Sequence, residues 1–550
     1  MSYNKRLWSG YALLLLVALG FRLFVALRLP NDDPDDGRVY AQIATNVLEQ
    51  HVYSHENQPP YPPSLIRLPG YPLFLAAVYK VFGHGNNTAV RAVQAGIDTL
   101  TCVLMALVAF EWTVDDERKH RAAMIAFALA AVCPFTAIYV ATVLTEVLTN
   151  FLAMAMLLAV TFAFKASDYA DNTDRKKAWL WWVVGGLIAG LTVLFRPDSG
   201  LFAAAVGGTL VLSFLKRRSL KQFLVSSVLF SVAFCLVLAP WTIRNYRVFH
   251  LFQPLAPAHA EMPGEFVPRG YLLWVRTWLD DSRYVGPALW SLDTKPLHVS
   301  DFPDSAFDSD EERDRVAALL DKYNNLPSAS STEPDASDDS EEQGDEQSDE
   351  GDDDEEQQQS EPEETDVEMT PEIDAGFAQI AQERRARHPS RYYVALPLKR
   401  AKALWFDTHS EYYPFNGELL PLEDLDYDIH QQIWLPLFAA LTGIYSLLGL
   451  FGGWLLLRSR DPHARRWVLL AALVIILRLG FFSTLENPEP RYTVELFPFL
   501  IILAAAGLSL IRRQRPGGGV GEGDAVGVAG VVGARSDGGI AAGFGVSGDE

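Results

Sequence analysis

The sequence predicts an all-α polytopic membrane protein with about ten transmembrane helices, a membrane-surface helical first outer loop and a large outer domain containing a disordered acidic insert. Three observations predict this class. Hydrophobic residues make up 49% of the 550 residues and gather in runs of about 17–25, the length that crosses a bilayer core roughly 30 Å thick. Lys and Arg cluster in every second loop between the runs. One long segment between two runs is strongly acidic and nearly free of apolar residues.

The apolar runs predict ten spans, which end where polar residues interrupt them. The first run follows Lys5 and Arg6; it is too long for a removed signal peptide and lacks a small-residue cleavage site. In chain order the predicted spans are residues 8–28, 89–111, 122–140, 143–164, 179–195, 200–215, 223–241, 433–457, 467–483 and 494–511.

The basic residues of the short loops predict the orientation of the spans, because Lys and Arg accumulate on the cytoplasmic side. With the N-terminus in the cytoplasm, every predicted cytoplasmic loop is basic. These loops carry Arg118, Lys119 and Arg121; Arg175, Lys176 and Lys177; Lys216, Arg217, Arg218 and Lys221; Arg458, Arg460, Arg465 and Arg466; and, after the last span, Arg512, Arg513 and Arg515. The two long segments, 29–88 and 242–432, are then predicted to lie outside the cytoplasm.

The formal net charge of -22 is local rather than general. Residues 331–368 contain twenty Asp and Glu and no Lys or Arg, so the rest of the chain carries about -2. This distribution argues against a salt-adapted surface, and the lack of a clustered basic face disfavours nucleic-acid binding. We expect the acidic segment to be a solvated spacer, with binding of cations or of a basic partner as the alternative. The three cysteines lie in apolar runs and indicate neither a disulfide framework nor a metal site.

These features divide the chain into six predicted parts. They are an N-terminal transmembrane module 1–245, which includes the first outer loop 29–88; an outer domain 246–330; a disordered acidic insert 331–370; an outer juxtamembrane segment 371–432; the C-terminal spans within 433–511; and a Gly-rich flexible tail 512–550.

Acidic residues near the outer ends of two spans are the first candidates for chemistry. Asp33, Asp35 and Asp36 follow the first span in the string DDPDD, and Asp36 opens an amphipathic helix. Asp36 is therefore either a helix cap or a functional carboxylate. Hard carboxylates suit Mg²⁺ or Mn²⁺, but no His or carboxylate partner stands at diagnostic spacing. Glu146 lies in the first turn of the fourth span, where an acidic residue is costly and usually functional, although it too could cap a helix.

Four arginines are predicted on the same side as these carboxylates: Arg67, Arg196, Arg244 and Arg491. An Arg at a span end is often only an interface anchor. Guanidinium groups also bind phosphate oxygens in pairs of hydrogen bonds. A carboxylate base beside such a cluster, at a membrane surface, indicates transfer from a lipid-linked phosphate donor.

Several strings at these residues together resemble the C superfamily of membrane glycosyltransferases, near the protein O-mannosyltransferases, the lipid A aminoarabinose transferases and the bacterial core-sugar transferases. The resemblance covers roughly residues 7–250 and 385–511, and the family pattern has no counterpart of the acidic stretch 331–368. Within DDPDD, the residue that corresponds to the family's aspartate is Asp36, with Asp33 or Asp35 as the alternatives. In chain order the strings are DGRVYAQIATNVL, RLPGYPLFLAAVYKVFG, AVRAVQAGIDTL, PFTAIYVATVLTEVLTNFL, LIAGLTVLFRPDSGLF, APWTIRNYRVF and PEPRYTVELFPFL.

The resemblance implies a polyprenyl-phosphate sugar as donor, an active site at the outer face of the membrane, and a hydroxyl of a protein, lipid or polysaccharide as acceptor. The compact loops favour a cell (inner) membrane. We expect no cofactor, with a divalent cation at the carboxylates as the alternative. The resemblance also implies Asp36 as general base, Glu146 as the group that binds the acceptor, and Arg244 and Arg491 as the main stabilisers of the leaving phosphate. Further candidates are Arg67, Arg196, Tyr40 and Tyr492.

Two other functions fit a chain with many spans. A secondary transporter usually has internal repeats and charges at the membrane midplane, whereas residues 1–215 and 223–511 show no repeat and the charges lie at span ends. A non-catalytic assembly protein of the cell envelope, with the acidic segment as a docking tail, is the third hypothesis.

Overall fold

A computed structural model describes residues 2–29, 35–168, 172–217, 219–325, 367–406, 427–459, 461 and 463–511. These residues form α-helices joined by short 3-10 and π turns, and the described ranges contain no β-strand. The predicted insert 331–370, apart from its last residues, and the predicted tail 512–550 lie outside the described residues, as does Asp33. The side chain of Asp35 is likewise outside them.

Most helices of the described N-terminal half are long and apolar, and two shorter helices follow the first of them. Their bounds are α1 Ser2–Arg28, α2 Asp35–Glu49, α3 Gly70–Phe82, α4 Asn87–Trp112, α5 Asp116–Ala131, α6 Pro134–Ala137, α7 Glu146–Asp168, α8 Asn172–Phe195, α9 Gly200–Arg217 and α10 Leu220–Phe249.

The second half begins with shorter helices and returns to long apolar ones. Their bounds are α11 Arg269–Val275, α12 Asp310–Asn324, α13 Pro371–Arg387, α14 Leu396–Phe406, α15 Tyr427–Arg458, α16 Ala464–Ser483 and α17 Phe497–Leu508, the last preceded by a 3-10 segment Pro490–Leu496.

Nine helical segments of the described chain are long and apolar enough to cross a membrane, and there are ten when α5 and the segment Pro134–Ala141 count as one bent span. Each corresponds to one of the ten predicted spans, so the prediction of an all-α polytopic membrane protein is confirmed. The third span differs from its prediction in shape, because its two parts meet at an angle of 55° instead of forming one straight helix.

A buried ion pair stabilises the break in the third span. Pro134 cannot donate a backbone hydrogen bond, so carbonyl groups at the end of α5 need other donors. Arg22 of α1 supplies them: its Nη1 donates to the carbonyl oxygen of Ala131 and its Nη2 to that of Ala130, both at 3.1 Å. Its Nε lies 2.6 Å from Oδ2 of Asp98 in α4, and both side chains are fully buried.

Residues 138–145, between α6 and α7, are buried and contain no α-helix, so their backbone groups must be hydrogen-bonded inside the protein. Arg91 donates from Nε to the carbonyl oxygen of Ala141 at 2.8 Å. Gln94 donates from Nε2 to the carbonyl oxygen of Thr142 at 2.7 Å. Both side chains come from α4. These hydrogen bonds fix the backbone at Ala141 and Thr142, shortly before α7 begins at Glu146.

Described residues of the segment 242–432, which is predicted to lie outside the cytoplasm, pack into one aromatic core. Trp274 of α11 contacts Phe377 of α13 with ring centroids 5.1 Å apart, and Trp278 is also buried. The core thus combines residues from both sides of 326–366. Arg276 joins it to the segment between α16 and α17, because its Nε donates to Oε2 of Glu486 at 2.9 Å.

Candidate functional site

Asp36 lies in the first turn of α2 and is held by two arginines that are distant in sequence. Its Oδ1 is 2.7 Å from Nη2 of Arg67, and its Oδ2 is 3.3 Å from Nη2 of Arg491. The Asp36 side chain is 26% exposed, so a ligand can still reach it. The structure therefore brings together three residues predicted for the site, one from each of three separate segments.

The two guanidinium groups determine the protonation of Asp36. Partial burial alone would raise its pKa, because a charged carboxylate loses hydration. The positive charges of Arg491 and then Arg67 outweigh burial and lower the pKa of Asp36 below its ordinary value. Asp36 is consequently ionised at neutral pH.

The loop before α3 places Arg67 at this position. Tyr53 donates from its hydroxyl to the backbone carbonyl oxygen of Arg67 at 3.0 Å. The Arg67 guanidinium carbon lies 5.9 Å from the centre of the Tyr40 ring, which packs edge-on against Tyr71 at 5.2 Å. Burial, followed by the nearby charge of Asp36, raises the pKa of Tyr40 to about 12, so this phenol stays neutral.

Glu146 forms the second half of the site. Its Oε1 accepts a hydrogen bond from Nη1 of Arg196 at 2.7 Å, and the Glu146 side chain is only 2% exposed. The other carboxylate oxygen, Oε2, is buried and has no hydrogen-bond partner among the residues that the structure describes. A buried carboxylate oxygen without a donor is costly, so Oε2 of Glu146 is a ready acceptor for a hydroxyl group that enters the site.

Sequence reasoning missed three charged residues that surround Arg196: Asp198, Arg478 and Glu495. Asp198 and Glu495 both form ion pairs with Arg196, and Arg478 pairs with both acids. A signal was present for Arg478 and Glu495, because each is an isolated charge within an apolar run, and such residues are usually functional.

Tyr492 lies between the two halves of the site. The guanidinium carbon of Arg491 is 5.3 Å from the centre of its ring, and that of Arg196 is 5.7 Å away. The Tyr492 ring stacks on Phe482 at 4.4 Å, which fixes its plane. The eight charges of this site, four Arg and four acidic residues, balance. They are Arg67, Arg196, Arg478 and Arg491 with Asp36, Glu146, Asp198 and Glu495.

Arg244 has different surroundings from the other predicted arginines. Its Nη1 donates to the carbonyl oxygen of Ser64 at 2.8 Å and to Asn245 at 2.9 Å, and its guanidinium also faces Trp241 at 5.0 Å. It forms no ion pair with Asp36 or Glu146. Its predicted contact with phosphate stays a prediction. Among the residues that the structure describes, no group of three or more His, Cys, Asp or Glu is arranged to hold a metal ion.

Solved structures similar to this chain include an oligosaccharyltransferase of Archaeoglobus fulgidus with a tethered acceptor peptide, at 14% identity and a TM-score of 0.46. That match covers 92% of this chain and 50% of the other, so the chain spans half of that enzyme's length. ArnT of Cupriavidus metallidurans bound to undecaprenyl phosphate matches at 14% identity and a TM-score of 0.34. That match covers 91% of this chain and 78% of ArnT. No curated protein sequence matches the chain.

One family model matches part of the chain. The model describes the dolichyl-phosphate-mannose-protein mannosyltransferases, and it matches residues 62–243. The matched segment includes Arg67, Glu146 and Arg196, whereas Asp36 and Arg491 lie outside it. Over residues 62–243 the chain is therefore similar to this family of membrane glycosyltransferases, which confirms the resemblance that its motifs indicate.

Proposed function

We propose that this protein transfers a sugar from a polyprenyl-phosphate donor to a hydroxyl of a protein, lipid or polysaccharide acceptor. The contact that supports this most directly is the Asp36 carboxylate between Arg67 and Arg491. It combines a base with two groups suited to phosphate. The family match supports the same reaction class, because the family's description names a lipid-phosphate-linked sugar.

The proposed reaction is an inverting displacement. Asp36 takes the proton of the acceptor hydroxyl, and the acceptor oxygen attacks the anomeric carbon of the sugar. The bond from that carbon to the donor's phosphate oxygen breaks, and the lipid phosphate leaves with the electron pair. Arg67, Arg491 and Arg244 stabilise the charge that develops on the phosphate, and Glu146 orients the acceptor through its unpaired oxygen.

The arginines that lower the pKa of Asp36 also make it a weak base before substrate binds. A donor phosphate would compete for the same guanidinium groups, because charge-assisted hydrogen bonds to phosphate are strong. Binding of the donor would then draw Arg67 and Arg491 from Asp36 and increase its basicity. In this scheme the base is activated only when the donor is present.

We also propose that the site faces the outer side of a cell (inner) membrane and that the N-terminus is cytoplasmic. Helix α7 begins at Glu146 in the site and ends at Asp168, whose carboxylate lies 2.9 Å from Arg466. Arg466 belongs to a predicted cytoplasmic loop. The site is thus at the helix ends opposite to the basic loops, which supports an outer location.

The test compares wild type, Asp36→Asn and the control Glu49→Gln in detergent, each with radiolabelled polyprenyl-phosphate sugars and an envelope extract. Glu49 ends the same helix α2, and its half-exposed carboxylate contacts His84 at 3.3 Å. We expect transfer by wild type and by Glu49→Gln, and a loss of about 10²–10⁴-fold in Asp36→Asn, because a general base contributes that much. Donor-induced thermal stabilisation should persist in Asp36→Asn.

Two outcomes would contradict parts of this proposal. If no donor is transferred and no donor stabilises the wild type, the glycosyltransferase function is wrong and the transporter hypothesis gains. If Asp36→Asn keeps full activity, the enzyme stands but the base must be Asp33, Asp35 or Glu146.

A further inference from the structure

Four buried side chains close a ring of ion pairs beside Glu146. Arg196 Nε is 3.2 Å from Asp198 Oδ1, and Asp198 Oδ2 is 2.7 Å from Arg478 Nη1. Arg478 Nη2 is 3.0 Å from Glu495 Oε2, and Glu495 Oε1 is 3.3 Å from Arg196 Nη1. The four side chains are at most 12% exposed. The ring is neutral and joins the N-terminal module to α16 and to the segment before α17.

One nitrogen of this ring is shared with Glu146. Arg196 Nη1 contacts both Glu146 Oε1 at 2.7 Å and Glu495 Oε1 at 3.3 Å. The two carboxylates therefore compete for the same donor. Arg478 forms an ion pair with the other oxygen of Glu495, so Glu495 competes less strongly for Arg196. Arg196 Nη1 accordingly lies closer to Glu146 than to Glu495.

We propose that the ring of Arg196, Asp198, Arg478 and Glu495 positions the carboxylate of Glu146, so that the C-terminal spans complete an acceptor site begun by the N-terminal module. This inference rests on the proposed function, in which Glu146 orients the acceptor. Asp198, Arg478 and Glu495 are positioning residues, acting through Arg196. Buried ion pairs contribute little net stability compared with apolar packing, so a purely stabilising role would explain four buried charges poorly.

The experiment uses the full-length protein with Arg478→Gln, which breaks two links of the ring. Glu495 then loses Arg478 and competes for Arg196 Nη1, so Glu146 is held less firmly. We expect the KM for the acceptor to rise about tenfold or more, because small misplacements at a reacting centre are costly. The affinity for the donor, measured by donor titration of the purified protein, should stay unchanged. Hydrogen exchange of backbone amides in residues 142–150 should become faster.

The chain offers a matched control on the same two helices. Arg466 of α16 pairs with Asp168 of α7 at 2.9 Å, at the end of α7 remote from Glu146, and Arg466 is 9% exposed. Arg466→Gln removes a similarly buried ion pair without touching the ring. It should change neither the acceptor KM nor the exchange of residues 142–150.

A second variant tests the competition directly. Adding Glu495→Gln to Arg478→Gln removes the competing carboxylate and restores the charge balance of the ring, so the acceptor KM should fall back toward the wild-type value. If Arg478→Gln behaves like Arg466→Gln, or if the double variant is worse than the single one, the ring does not position Glu146.

The exchange measurement separates this inference from the proposed function. A wild type that transfers no sugar contradicts the proposed function. Faster exchange of residues 142–150 in Arg478→Gln alone would still support positioning of Glu146 by the ring. Unchanged exchange in Arg478→Gln overturns the positioning inference, even where the wild type transfers sugar.

Discussion

The carboxylate of Asp36 illustrates how two neighbours can reverse the effect of burial on one residue. Loss of hydration favours the protonated acid, and each guanidinium within hydrogen-bond distance favours the ionised form. With Arg491 and Arg67 both present, the pKa of Asp36 is lowered. Removal of either arginine should therefore raise the pKa of Asp36.

The pH dependence of activity should follow this balance. In the proposed mechanism only ionised Asp36 is active, so activity falls as pH drops through its pKa. For wild type this fall should lie below about pH 3.9, the ordinary value for Asp, and should be invisible between about pH 5 and 8. In Arg67→Gln, burial is opposed by Arg491 alone, so the pKa rises and the fall should move to higher pH. The measurement is kcat/KM as a function of pH.

Arg244→Gln is the comparison for that profile. The Arg244 guanidinium contacts Ser64 and Asn245 and forms no ion pair with Asp36. Its loss should leave the acid side of the profile in place, whatever its effect on turnover. A profile of Arg67→Gln that coincides with wild type would show that Asp36 is not the titrating base.

The bend in the third span depends on a neighbouring element. Helix α5 ends before Pro134, and its last carbonyl groups accept hydrogen bonds from Arg22 of α1. The positive charge of Arg22 also suits the C-terminal end of a helix. The bend directs the segment after Pro134 back toward the start of α7. The ion pair of Arg22 with Asp98 therefore contributes indirectly to the placement of Glu146.

Removal of Arg22 should be costly, because it leaves Asp98 as an uncompensated buried charge. We expect Arg22→Met to lower the free energy of unfolding by about 3–5 kcal/mol. The double variant with Asp98→Leu should recover most of this loss, since apolar side chains can replace a buried pair. Unfolding in detergent, followed by circular dichroism, gives both values. A loss in Arg22→Met of less than about 1 kcal/mol would contradict this account.

Glycines allow two pairs of spans to pack with their backbones in close contact. A side chain at Gly190 of α8 would place its Cβ 2.6 Å from the carbonyl oxygen of Phe234 in α10. Glycine thus allows the backbones of these two spans to approach, as small residues commonly do in membranes. Gly452 of α15 likewise approaches the backbone of α17 at Leu503 and Ala504.

The whole molecule assembles the site from helix ends of both halves. Asp36 and Glu146 come from the N-terminal module, whereas Arg491, Arg478 and Glu495 come from the last two spans. Glu146 begins α7, which ends at Asp168 beside Arg466, and Glu495 precedes α17, which is followed by Ser509 near Arg121. Because consecutive spans cross the membrane in opposite directions, the start of one span and the end of another can meet on the same side and form one site.

Labelling of single cysteines in intact cells tests the proposed orientation. His84, between α3 and α4, and Glu117, at the start of α5, are both exposed. After Cys235→Ser, an impermeant maleimide should label His84→Cys from outside. It should label Glu117→Cys only after permeabilisation, because Glu117 lies in a basic loop. The reverse pattern would invert the topology and place the site in the cytoplasm.

The spans and several members of the site could be predicted from the sequence, and other contacts could not. Apolar length is a local property, so all ten spans were found. Asp36, Arg67 and Arg491 were selected by residue type and span end, and the structure places them in contact. Asp198, Arg478 and Glu495 were missed. The isolated charges of Arg478 and Glu495 in apolar runs could have marked these two as candidates. The ion pairs that all three residues form depend on distances between helices, which no local pattern encodes.

The sequence by itself determined the membrane class, the number of spans and the residue types available for chemistry, because hydrophobic length and charge act along the chain. Only the tertiary structure decided which charges meet. It paired Asp36 with Arg67 and Arg491 and closed the ring around Arg196. It also directed Arg244 to the carbonyl oxygen of Ser64 instead of to either carboxylate. The physical reason is that ion pairs act over a few ångströms between helices whose relative placement is set by the packing of the entire bundle.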